Sequence, residues 1–169
     1  MTPEIPCAIG PSRQVLLRTV EDTQAWGARL GALLTAGDLL LLTGGLGAGK
    51  TTLAQGIAVG LGVRGPITSP TFVIARVHPS LVGGPDLVHV DAYRLAGFAE
   101  LADLDLDASL EEAVTVVEWG RGVAEQLSED YLEVTLLGHG ARTVDLVGHG
   151  ARWTAPAACE ALDVLVSLA

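Results

Sequence analysis

Between Thr43 and Thr52 the chain reads TGGLGAGKTT, with four glycines in the six positions from Gly44 to Gly49, then a lysine and two threonines. Glycine at that density weakens the interior of a helix or strand, but it frees consecutive backbone N–H groups to converge on one point. Gly44, Gly49, Lys50 and Thr51 match the spacing G-x-x-x-x-G-K-[ST]. In that pattern the loop N–H groups and the following helix end cradle phosphates, the lysine reaches the terminal phosphates, and the hydroxyl reaches Mg²⁺. Thr52 stands where it can bond an inner phosphate. Lys50 is the only lysine of the chain, beside nine arginines. Where arginine is the habitual cation, a lone lysine marks a place where a compact ammonium fits and the wider guanidinium does not.

A magnesium site also needs carboxylates, usually at the end of a neighbouring strand. Asp91 follows the apolar run LVHV, and Glu118 follows TVV. Either could simply cap the next turn; two of them beside a phosphate loop point to at least one cation ligand. Thr71, in the loop TSPTF, fits either a threonine that senses metal and γ-phosphate or an ordinary ST-turn. A guanine-reading Asn-Lys-x-Asp element cannot exist here, because the chain has no asparagine and its lysine is already placed. ATP is the expected nucleotide.

These residues need elements to hold them. DLLLLTG (38–44) reads as a strand buried on both faces of a parallel sheet, followed by a helix over about 51–61 that Gly62 ends. QVLLRT (14–19), a segment from Phe72, LVHVD (87–91) and VTVVEW (114–119) read as further strands. EDTQAWGARLGALLTA (21–36) and GRGVAEQL (120–127) read as helices, with one or two short helices between Ala92 and Ala113. YLEVTLLGHG and ARTVDLVGHG form two strands around a tight turn, where His139 and His149 are read as turn residues rather than a metal pair. An amphipathic helix from about Pro156 closes the chain. Strands alternating with helices make this an α/β fold, a largely parallel sheet flanked by helices with a C-terminal β-hairpin and helix. Residues 1–12, with three prolines, are expected as a flexible tail, and 13–169 as one domain.

Composition excludes several classes. The net charge of −10 argues against tight, direct nucleic-acid binding by this chain alone. No window reaches the roughly 20 apolar residues of a membrane span, and the N-terminus lacks the pattern of a signal peptide. Cys7 and Cys159 show no disulfide framework or metal spacing, so a reducing cytosol is expected.

Taken in order, GGLGAGKTTLAQGIAVGLGVRGPITSPTF, HVDAYRL and VVEWG resemble the TsaE (YjeE) family, from about Thr19 to Arg142. The resemblance implies a P-loop ATPase needed for threonylcarbamoyladenosine at position 37 of tRNAs. It implies partners, a transferase subunit, TsaD, and its paralogue TsaB, which ATP hydrolysis would reset between turnovers. It implies that Leu46, Gly47, Ala48, Gly49, Lys50 and Thr51 wrap the phosphates, with Thr51 also on Mg²⁺. Glu118 would be the second metal ligand, and Asp91 would orient the attacking water. Ser69 and Thr71 would lie in a switch-like loop, Thr19 and Arg142 would line the nucleotide, and Trp119 would sit beside the site. The chain departs from the family at Gly45 (usually an acid), Ala92 (usually leucine) and Gly120 (usually proline); none is a phosphate or metal ligand. No arginine finger is obvious beyond Arg94 and Arg142, so slow turnover alone and stimulation by partners are expected. Two rivals stand beside this reading. A small-molecule or nucleoside kinase is disfavoured by the acidic stretch after Arg94, and a nucleotide-dependent binding module would never turn over.

Overall fold

A computed structural model of the chain describes residues 8–69, 75–95, 97–103 and 106–169. Its centre is the apolar run expected to be a strand. Leu39–Gly44 (β2) turns Leu40 and Leu42 into one hydrophobic core and Leu39 and Leu41 into the other. That is the side-chain alternation of a strand covered on both faces. Leu87–Asp91 (β4) and Val114–Glu118 (β5) are buried along their whole length for the same reason.

The sheet has seven strands in the order β1-β7-β6-β2-β5-β4-β3, with Arg13–Leu17 as β1, Ala75–His78 as β3, Tyr131–Leu137 as β6 and Arg142–His149 as β7. Its middle is parallel, β6 and β5 flanking β2 and β4 pairing with β5. Both margins are antiparallel, through β1–β7, β6–β7 and β3–β4. The expected hairpin thus joins the sheet beside β2 and carries β1 on its outer side.

Helices Val20–Leu33 (α1), Lys50–Leu61 (α2) and Pro156–Ser167 (α6) cover one face through Trp26, Leu30, Leu53, Ile57, Leu162 and Leu165. The short helices Phe98–Ala102 (α3) and Asp107–Leu110 (α4) lie against the other face, where Leu101 and Leu106 join the core. A single turn, Ala151–Thr154 (α5), links β7 to α6. Among the described residues no helix is long and apolar enough to cross a membrane.

Several boundaries differ from the sequence reading: α1, expected to run to residue 36, ends at Leu33, where Leu34 turns to an extended backbone. β1 ends at Leu17, so Thr19 is not its last residue but the N-cap of α1, where its hydroxyl accepts from the Asp22 N–H while Asp22 accepts from the Thr19 N–H. This reciprocal pair satisfies N–H groups that a helix start would otherwise leave open. The helix expected over 120–127 is only a 3₁₀ turn at Ala124–Gln126, because Gly122 takes a left-handed φ of 84° that no helix continues through. Of the expected tail, residues 1–7 lie outside the described residues. Ala8, Ile9 and Gly10 run against the end of β7 through bonds to Gly150 and Gly148 and a bridge to His149.

α1 and α2 touch backbone to backbone. A Cβ on Gly60 would collide with the Ala28 carbonyl, and one on Gly31 with the carbonyl of Ile57. An exposed helical Gly→Ala change stabilises by roughly 1 kcal/mol. Here Gly60→Ala should instead destabilise by about 2–3 kcal/mol, because neither main chain can yield without moving a packed helix. The urea midpoint measures it, and a midpoint at or above that of the unchanged protein would contradict this packing.

Candidate functional site

Register brings the candidate residues together. In the parallel pairing, Asp91 on β4 stands beside Glu118 on β5, and Glu118 stands beside Leu42 on β2, two residues before the glycine loop begins. All three strands end at the same edge, the edge at which parallel sheets offer ligand crevices. The loop between β2 and α2 turns on Gly47 and Gly49, whose φ values are 75° and 102°. A side chain at Gly49 would also strike the Arg142 guanidinium. Gly49 is the N-cap of α2 and provides no side-chain cap, so the positive end of the helix faces the cleft uncovered.

A cleft of about 340 Å³ follows, lined by Leu46, Gly47, Gly49, Lys50, Thr51, Thr52, Ser69, Asp91, Glu118, Trp119 and Arg142. A larger cavity of about 430 Å³, between β1 and α1, lacks this convergence of lysine, hydroxyls and carboxylates.

Lys50 is 6% exposed, and its Nζ donates to the carbonyls of Gly44 and Gly45 at 2.8 and 2.9 Å. The Trp119 ring lies 4.1 Å from the same ammonium. Burial holds the ammonium below the ordinary lysine range, and the negative charges of Glu118 and Asp91 oppose that shift. Trp119 reaches this position from a left-handed backbone, φ 60°, which is costly for a bulky residue. The exposed Tyr93 packs its ring against Trp119 at 5.1 Å between centroids.

Glu118 is 2% exposed. Its Oε1 accepts from the Thr51 hydroxyl at a long 3.4 Å and lies 2.8 Å from His89 Nε2. Asp91 is also buried, and its Oδ1 accepts from the Tyr93 N–H at 2.9 Å. Among the described residues no group of three His, Cys, Asp or Glu could hold a metal unaided. Thr51 and Glu118 instead present two adjacent oxygen donors, which suits a hard cation that completes its shell with water and phosphate oxygens.

Arg142 pins the loop from the hairpin side. Its Nε donates to the Ala48 carbonyl at 2.5 Å and its Nη1 to Gly140 at 3.2 Å. Ala48 itself is buried beneath the loop, and Leu46 is fully out at its tip, 87% exposed. Ser69 reaches the cleft, whereas Thr19, capping α1, does not line it. Thr71 lies outside the described residues. The residue that motif reading left without a role is His89; its one signal is a polar side chain inside the apolar run LVHVD.

Known proteins are similar to this chain over most of its length. A TsaE protein of Streptomyces coelicolor, named a tRNA threonylcarbamoyladenosine biosynthesis protein, is 65% identical over 111 residues, covering 65% of this chain and 75% of that one. The like-named protein of Mycobacterium tuberculosis is 57% identical over 127 residues (71% and 76%), and that of Bacillus subtilis is 39% identical over 127 residues (73% and 78%). A crystal structure of Bacillus subtilis YdiB superimposes with a TM-score of 0.72 at 30% identity, covering 90% of this chain and 95% of that one. The sequence model described as threonylcarbamoyl adenosine biosynthesis protein TsaE matches residues 17–144, and the chain belongs to that family.

Proposed function

We propose that the chain is an ATPase of tRNA threonylcarbamoyladenosine biosynthesis, which binds and hydrolyses ATP with Mg²⁺ to drive turnover of a TsaD–TsaB transferase pair in the cytosol. The observation that carries this reading is the meeting of Lys50, Thr51, Asp91 and Glu118 in one cleft, set by the register of three parallel strands. The glycine loop and the uncapped start of α2 supply N–H donors for phosphate oxygens. Lys50 leaves the carbonyls of Gly44 and Gly45 for the terminal phosphates. Thr51 and Glu118 would hold the cation, whose contribution when bound is to neutralise charge on the phosphate oxygens. Asp91 stands beside them to orient a water. Family kinship adds the pathway; the net charge of −10 suits a role in which partners hold the tRNA.

Phosphate release from ATP, with and without the cognate TsaD–TsaB pair and with Lys50→Ala as the blank, tests the reading. Slow release alone is expected, rising on the order of 10-fold or more with the pair, since partner-supplied groups accelerate related hydrolases by far larger factors. Equal rates in both conditions would remove the partner from the mechanism. Transfer of phosphate to a small acceptor would favour a kinase, and tight binding with no release would leave a nucleotide-gated binding module.

A further inference from the structure

His89 is fully enclosed, at 0% exposure, in the middle of β4 between β3 and β5. A leucine or valine there would continue the apolar run and add to the core. The imidazole does something an aliphatic side chain cannot: its Nε2 lies 2.8 Å from Glu118 Oε1. We propose that His89 is a positioning residue for the cation, its Nε2–H locking the Glu118 carboxylate in the orientation that faces Thr51.

The tautomer follows from the surroundings. An ionised carboxylate only accepts, so Nε2 must carry the proton. Nδ1 is buried and has no hydrogen-bond partner among the described residues. A proton there would be a stranded donor, which costs more than a bare lone pair. The hydrogen that meets Glu118 is therefore on Nε2. The second donor to Glu118, the Thr51 hydroxyl, stands at 3.4 Å, too long to fix the carboxylate alone. Strand β4 is bonded on both sides, so the imidazole is held by the sheet and not by a mobile loop. Groups that orient a metal ligand from behind typically change metal affinity by about 10–100-fold when removed.

This inference rests on the nucleotide reading above, and the test separates the two. The full chain and its His89→Leu and His89→Gln variants are titrated with a non-hydrolysable ATP analogue by calorimetry, over a range of Mg²⁺ concentrations. In parallel, ¹⁵N-histidine NMR of the unchanged protein reports which ring nitrogen is protonated. His89→Leu is expected to need about 10–100-fold more Mg²⁺ while binding the Mg²⁺-free analogue within about two-fold of the unchanged protein. His89→Gln returns an N–H near the Nε2 position and should recover most of the loss, which a purely packing role would not allow. The NMR spectrum should show Nε2 protonated and Nδ1 bare. A His89→Leu variant with unchanged Mg²⁺ demand, a glutamine variant as impaired as the leucine one, or a proton on Nδ1 would each overturn the proposal alone. If the leucine variant does not fold, the glutamine variant and the NMR spectrum decide. An unchanged protein that shows no Mg²⁺-dependent nucleotide binding would overturn the nucleotide reading, and this inference with it.

Discussion

Asp91→Asn should abolish most phosphate release while leaving nucleotide binding intact. The exchange keeps the shape of the side chain and changes its charge. The amide oxygen that replaces Asp91 Oδ1 can still accept from the Tyr93 N–H, so the turn after β4 keeps its bond. What is lost is the negative oxygen beside Glu118 that could draw a proton from, or orient, an attacking water. Correctly placed acid–base groups contribute about 10²–10⁴-fold, so the rate should fall by that factor, roughly 3–5 kcal/mol of barrier. Calorimetry with the ATP analogue should give an affinity within about three-fold of the unchanged protein, because the phosphate-binding donors come from the loop and from Lys50. Release within a few-fold of the unchanged protein would show that Asp91 only caps the turn. An equal loss of binding and release would make it a cation ligand instead, in place of or beside Glu118.

Much of this site is legible in the sequence because its parts are local. The apolar runs before Gly44, Asp91 and Glu118 read as buried strands, and each ends where its candidate residue stands. Parallel pairing then carries the three ends to one edge without further information. Long-range contacts are not legible. Arg142 bonds to Ala48 across 94 positions, and His89 meets Glu118 across 29. Nothing periodic connects such pairs, although a histidine inside LVHVD already asks for a buried partner. The β6–β7 hairpin is legible from its tight turn, but the antiparallel pairings of β1 and β3 at the sheet margins are not, since strand order depends on which edges remain after the core has formed. Thr19 is the opposite case. Thr19-x-x-Asp22 is a local capping signature, but the apolar run before it carries the strand reading two residues too far. At Gly122 a helical pattern of apolar residues loses to one backbone angle.

The single lysine leads to the other large effect. Lys50→Arg should fail almost as completely as Lys50→Ala, although it preserves the charge and arginine is this chain's usual cation. The ammonium is enclosed by two carbonyls at 2.8 and 2.9 Å and by the Trp119 ring at 4.1 Å. A point charge with three rotatable donors satisfies that enclosure, then swings to a phosphate without moving its walls. A planar guanidinium is wider and fixed in its donor directions, so it must displace either the loop carbonyls or the indole. Trp119 has little room to give, being held by its own left-handed backbone and by Tyr93. Removal of one preorganised donor to developing charge costs about 10²–10³-fold, and both variants should lose at least that much phosphate release. The two should separate on stability. Lys50→Ala relieves a buried charge, whereas Lys50→Arg forces a larger one into the same space and should lower the melting temperature further. An arginine variant that retained a tenth or more of the rate would mean that charge alone, and not the narrow fit under Trp119, selects lysine at this position.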